Sequence, residues 1–210
     1  MRLIHTTLFV AVAALGLSAC NKQPENAADT VAPATPAEAT AATTPAEAPP
    51  PMTGPTADTA ATATAELAPT QGNETKGAVS FKLVDGRVHV TGQVSGLKPG
   101  SEHGFHIHEK GDCSAPDGAS AGGHFNPGTQ DHGSVASDPH HGGDMPNITA
   151  NAEGVATIDA PVSTNVNIGK GDDFDIIGRG LIVHADADDY TTQPTGNAGA
   201  RLACAVIKAP

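Results

Sequence analysis

The chain has 210 residues and carries 11 Lys and Arg against 23 Asp and Glu, a net charge of -12 that argues against nucleic acid as a partner. It has no Trp, one Tyr and five Phe, so a core must rely on Val, Ile, Leu and Ala, and 24 Gly with 17 Pro imply many turns. The length allows one or two domains, and any anionic substrate needs a local positive site to overcome the overall field.

The N-terminus reads as a targeting segment. Arg2 opens a short basic region, and Leu8–Leu17 (LFVAVAALGL) is an apolar run too short to span a membrane. "LSAC" (Leu17 to Cys20) follows and resembles the bacterial lipobox. That resemblance implies cleavage before Cys20, acylation of Cys20 and a membrane partner reached through this lipid anchor. The competing reading is an ordinary signal peptide with a chance cysteine. Asn21 is not Asp, so nothing there argues for retention at an inner membrane, and the expected location is the periplasmic side of the outer membrane. Residues 1–19 are thus expected to be a signal peptide. Cys113 and Cys204 are the other two cysteines, and an oxidising compartment makes one disulfide between them the natural reading.

Residues 20–74 are an acidic Ala/Thr/Pro-rich stretch ("VAPATPAEATAATTPAEAPPP"), without aromatics and with little Val, Ile or Leu. Such a segment buries too little apolar surface to offset its ordering entropy, so it is expected to be a disordered tether. Residues 75–210 form the remaining domain. "AVSFKLVDGRVHVTGQVSGL" alternates Val79, Phe81 and Leu83, then Val88 and Val90, around Asp85-Gly86, which predicts a β-hairpin. "ITANAEGVATIDAPV" predicts a second hairpin around Ala152-Glu153-Gly154. "GFHIHEKGDC" places His106 and His108 on one face of a strand, with Phe105 and Ile107 on the other. Paired imidazoles repel when protonated, so this placement favours a shared metal.

Residues 111–147 are Gly-rich and poor in Val, Ile and Leu, a length of loop that needs something to order it. "DFDIIGRGLIVHAD" and "RLACAVIK" supply two more apolar runs, and no helical period appears. Short strands with Gly-rich turns predict an all-β sandwich or barrel. His124, His132, His140, His141 and Asp144 all fall in the long loop, and His184 ends the run "GLIVH". Seven histidines and a nearby acid in one small domain point to metal ligation.

"HGFHIHEKGDC", "AGGHFNP", "HHGGDMPN", "IIGRGLIVHADADD" and "TGNAGARLACAVI" together resemble copper–zinc superoxide dismutase, in the expected order. The resemblance implies a Greek-key β-sandwich or flattened barrel of Ig-like kind, with long metal-binding and channel loops. It implies copper held by His106, His108, His124 and His184, and zinc held by His124, His132, His141 and Asp144, with His124 as the bridge. His141, rather than His140, has the His-x-x-Asp spacing to Asp144. It further implies Asp188 as a carboxylate bonded to ligand histidines at both metals, Arg201 as the channel arginine that meets superoxide, and Thr195 at the channel mouth. His103 matches a structural histidine, and Cys113 and Cys204 match the intrasubunit disulfide. A homodimer is compatible with the resemblance, which fixes no interface. The segment after Asp188 holds no Lys or Arg before Arg201, unlike the lysine-bearing loop of eukaryotic members. The implied activity is superoxide dismutation, with Arg201 and His124 as catalytic groups. A copper-carrying module of the same fold without turnover is the alternative, and the completeness of the residue set argues against it.

Overall fold

The computed structural model describes residues 61–210. Cys20, the expected signal peptide and the tether up to residue 60 lie outside the described residues. Among these residues nine strands occur, in chain order: β1 (Thr62–Pro69), β2 (Lys76–Val84), β3 (Arg87–Ser95), β4 (Glu102–His103), β5 (Phe105–His108), β6 (Ile148–Thr149), β7 (Ala156–Pro161), β8 (Gly180–His184) and β9 (Arg201–Val206). Among the described residues the helical structure is one 3-10 turn, Ala119–Ala121. Seven strands form a curled antiparallel sheet in the order β5-β8-β9-β1-β2-β3-β7, and β4 pairs with β6. The neighbours β3/β7 and β1/β9 are far apart in sequence, which is the crossover pattern of a Greek key.

The predicted hairpin at Asp85-Gly86 forms, with Val84 opposite Arg87 and both turn residues at positive φ. Its alternation puts Val79, Phe81, Val88 and Val90 in the core. Val, Ile, Leu and Ala fill that core around Phe81, Phe105 and Phe125, as the shortage of aromatics requires.

Two expectations are corrected. The tether assigned to residues 20–74 contains β1, a full strand between β2 and β9. Ala63, Ala65 and Leu67 alternate inward at 5% exposure or less, while Thr and Glu face out. The inward positions are mostly Ala, so a period of two was concealed in a low-complexity composition. The second correction concerns residues 148–162. Their turn closes, with Gly154 N–H donating to Asn151 O at 3.1 Å and the Asn151 side chain accepting from Glu153 and Val155. The two arms then part: β6 pairs with β4, and β7 pairs with β3. The predicted hairpin is therefore a turn between two sheets.

Strand β5 is buried on both faces. Phe105 and Ile107 enter the main core, and His106 and His108 emerge opposite, beneath the long loop. That loop is tied down by backbone bonds. Phe125 N–H donates to Ile107 O at 2.9 Å, Ile107 N–H to Gly143 O at 2.9 Å, and Gly143 N–H to Phe125 O at 2.7 Å. The two loop segments carrying His124 and His141–Asp144 are thus strapped to β5.

Candidate metal centre

The histidines on β5, the adjacent β8 and the strapped loop converge into two clusters. His106, His108, His124 and His184 form one; His124, His132, His141 and Asp144 form the other, and within each the candidate ligand atoms lie within 4.8 Å of one another. All seven residues are buried.

The hydrogen bonds identify which atoms face inward. His108 Nδ1 donates to Gly122 O at 2.9 Å and His106 Nε2 meets Asp188 Oδ2 at 2.8 Å. The opposite nitrogens, His108 Nε2 and His106 Nδ1, are left for the first cluster. His108 Nε2 and His184 Nε2 stand 3.3 Å apart. His106 Nδ1 and His124 Nε2 are buried without a hydrogen-bond partner. Buried polar atoms in folded proteins are almost always partnered, so these orphans mark a place built for an ion. In the second cluster Asp144 Oδ1 lies 2.8 Å from His124 Nδ1, 3.0 Å from His132 Nδ1 and 3.4 Å from His141 Nδ1. His124 therefore turns one nitrogen to each cluster.

The donor sets differ in the way the two metals require. An all-imidazole set suits copper, and three imidazoles with one carboxylate make a closed tetrahedral set for zinc. The electrostatics agree. Burial, then the neighbouring His124 and His184, holds His108 well below its ordinary pKa. Burial likewise lowers His124 to about 4 and His184 to about 3, so these three rings stand as neutral imidazoles. His132 differs: burial opposes its charge, but hydrogen bonds to Asp144 and Asp188 outweigh it and raise the pKa to about 9. Burial also opposes the Asp144 charge, yet bonds from His124, His132 and His141 keep its carboxyl far below the usual range.

Asp188 joins the clusters. Its Oδ2 takes His106 and its Oδ1 takes His132 Nε2 at 2.9 Å, one ligand candidate from each set. Two residues that hold Asp188 in place were not singled out from the sequence. Asn147 clasps its backbone in both directions at 2.9 Å, and Gly196, at φ +65°, leaves room for its carboxylate where a Cβ would overlap it. Both lie inside the quoted motifs "HHGGDMPN" and "TGNAG", but their roles depend on contacts across the fold.

Arg201 begins β9 opposite His184. Its guanidinium donates to Gly118 O at 2.7 Å and Gly122 O at 2.6 Å, so it shares the Gly122 carbonyl with His108. Three residues on, Cys204 is disulfide-bonded to Cys113 with Cα atoms 5.8 Å apart, which anchors the loop that supplies those two carbonyls. His140 is directed away from the clusters, bonded to Ser137 O and Ser163 Oγ. His103 bonds Ser101 Oγ and the His184 carbonyl, which is a structural placement. Thr195 is half-buried in the segment after Asp188. Lys110 is exposed with its ammonium 3.7 Å from Glu109, so its charge is partly compensated.

The profile of the copper/zinc superoxide dismutase (SODC) family matches residues 75–207. "Superoxide dismutase [Cu-Zn] 2" of Aquifex aeolicus is 38% identical over 69% of this chain and 85% of its own length. "Superoxide dismutase-like protein YojM" of Bacillus subtilis is 41% identical over 57% of this chain, and the match spans 61% of that protein. Among solved structures, the clock protein EA4 superposes with a TM-score of 0.63 at 39% identity, over 72% of this chain and 96% of that one. A point mutant of the superoxide dismutase-like protein from Bacillus subtilis gives a TM-score of 0.61 at 36% identity, covering 68% of this chain and 95% of that one. A profile match across most of the chain, joined to the two histidine clusters, establishes that the chain belongs to the copper/zinc superoxide dismutase family, with copper and zinc as its metals.

Proposed function

We propose that this protein dismutates superoxide, converting two superoxide anions and two protons into one dioxygen and one hydrogen peroxide. The observation that carries the reading is completeness: four imidazoles, a shared His124, a closed second set and an adjacent arginine all occur together. Copper at His106, His108, His124 and His184 would supply one-electron redox chemistry, and zinc at His124, His132, His141 and Asp144 would supply a fixed charge.

The chain's own groups do the rest. His124 Nε2 is buried, without a hydrogen-bond partner, and faces the first cluster, so it is the atom suited to take up a proton and deliver it to the product. Asp188 fixes the His106 and His132 rings by accepting from their outer nitrogens. Arg201 is positioned by Gly118 and Gly122, and its charge offers an anion a docking point beside His108. Residues 76–210 carry 9 Lys and Arg against 16 Asp and Glu, so attraction must be local to this site.

The proposal extends to location. Export and acylation at Cys20 would hold the enzyme at the periplasmic side of the outer membrane, where it protects the cell envelope from an anion that crosses bilayers poorly. The second reading, a copper-binding module without turnover, draws support from two similar chains that are named a superoxide dismutase-like protein and a clock protein. Arg201→Glu separates the two. It should cost on the order of a hundredfold in rate, far more than Arg201→Lys, with copper content unchanged. Added salt should slow the parent, since screening acts over about 8–10 Å. Stopped-flow decay of superoxide measures both. A charge reversal without loss of rate would remove Arg201 from the mechanism.

A further inference from the structure

His132 is buried, but it follows an exposed stretch, Thr129 to Asp131, and lies in no strand. Its ring is spoken for at both nitrogens, by Asp144 and Asp188. Its peptide groups pose a separate problem. Among the described residues no backbone group bonds the N–H or the C=O of His132. Peptide groups at a buried residue need partners. Both come from one side chain 61 positions away: His132 N–H donates to Gln193 Oε1 at 2.9 Å, and Gln193 Nε2 donates to His132 O at 2.9 Å. The primary amide thus closes a two-bond ring on the peptide of a candidate zinc ligand, much as a neighbouring strand would.

We infer that Gln193 is a positioning residue of the zinc site, which fixes the backbone of His132 so that its Nδ1 stays aimed at the second cluster. Gln193 is itself exposed, so its place is set by this clasp rather than by packing. The arrangement mirrors Asn147, which clasps Asp188 from the other loop. The long loop and the segment after Asp188 therefore hold each other by reciprocal amide bonds, and neither clasp touches a ligand atom. Loss of the Gln193 clasp frees the His132 peptide to turn and so speeds the departure of zinc. The inference rests on the second cluster as the zinc site and not on turnover.

The test uses the full chain loaded with copper and zinc, with Gln193→Ala compared to Thr191→Ala. Thr191 is exposed in the same segment, and among the described residues its side chain bonds only Asp189. Zinc release into a chromogenic chelator, copper release, and the visible spectrum after cobalt replaces zinc are measured. Outer partners of metal ligands commonly change metal affinity 10–100-fold. Gln193→Ala should release zinc about tenfold faster, shift the cobalt bands, and leave copper release within about twofold of the parent. Thr191→Ala should match the parent. Parent-like zinc release in Gln193→Ala, equal acceleration in Thr191→Ala, or equal acceleration of copper would overturn the inference. A parent that takes no zinc into the second cluster overturns the zinc reading and the inference with it.

Discussion

Replacing Cys113 by Ser opens a covalent loop that spans most of the metal-binding chain. The two cysteines are 91 positions apart. Loop-closure entropy for that length is about 4–5 kcal/mol at 25 °C. For a folded unit of this size 1 kcal/mol corresponds to about 2–4 °C, so the melting temperature should fall by roughly 10–15 °C. The structure adds a local consequence. Cys113 begins the loop whose Gly118 and Gly122 carbonyls hold the Arg201 guanidinium, and Cys204 lies on the same strand as Arg201. The variant leaves Cys204 packed with Ala121 and Ile182, so the sheet should survive while the loop loosens. Calorimetry on metal-free protein is the appropriate assay, because bound metal stabilises by mass action and masks the difference. Metal-loaded variant should also lose copper faster. A fall of less than about 3 °C in the metal-free protein would contradict the loop-closure reasoning.

Three further outcomes are expected. His124→Ala should weaken retention of both metals and abolish turnover, whereas His132→Ala should weaken zinc first and leave copper bound; metal analysis after dialysis reads this, and equal losses in both variants would remove the argument for a shared residue. Zinc uptake by metal-free protein should strengthen as pH rises from 7 to about 9, because His132 is raised to about 9 and zinc must displace its Nδ1 proton. The sign follows from the raised value: the proton is held below it and lost above it, so calorimetry in two buffers should show proton release at pH 7 that disappears above about 9. Finally, Cys20→Ser should release the protein from the membrane fraction with specific activity unchanged, and retention after signal cleavage would contradict the anchor.

The strands built on Val and Phe were legible because their period of two is strong, and the Asp85-Gly86 turn names its own hairpin. β1 escaped because Ala and Thr alternate without contrast in hydropathy; only its neighbours show that Ala63 and Ala65 are core. β6 and β7 were mispaired because partner choice is non-local, and a good turn at Asn151 to Gly154 does not oblige its arms to pair. At the site, the candidate ligand histidines announce themselves by residue type and spacing. Asn147, Gln193 and Gly196 do not. Amides and glycine are common in loops, and these three act through contacts to Asp188 or His132 across 41 and 61 positions or by leaving space. That His140 turns away from the clusters was likewise settled only by its bonds to Ser137 and Ser163.

On the proposed reading the two clusters form one working dismutase centre. The most direct test is metal content and superoxide turnover in the same preparation, titrated with copper at fixed zinc. One copper and one zinc per chain are expected, with turnover rising in proportion to bound copper and levelling off when the first cluster is full. Full occupancy of both metals with superoxide decaying no faster than in buffer would contradict that expectation and leave the copper-binding module as the reading.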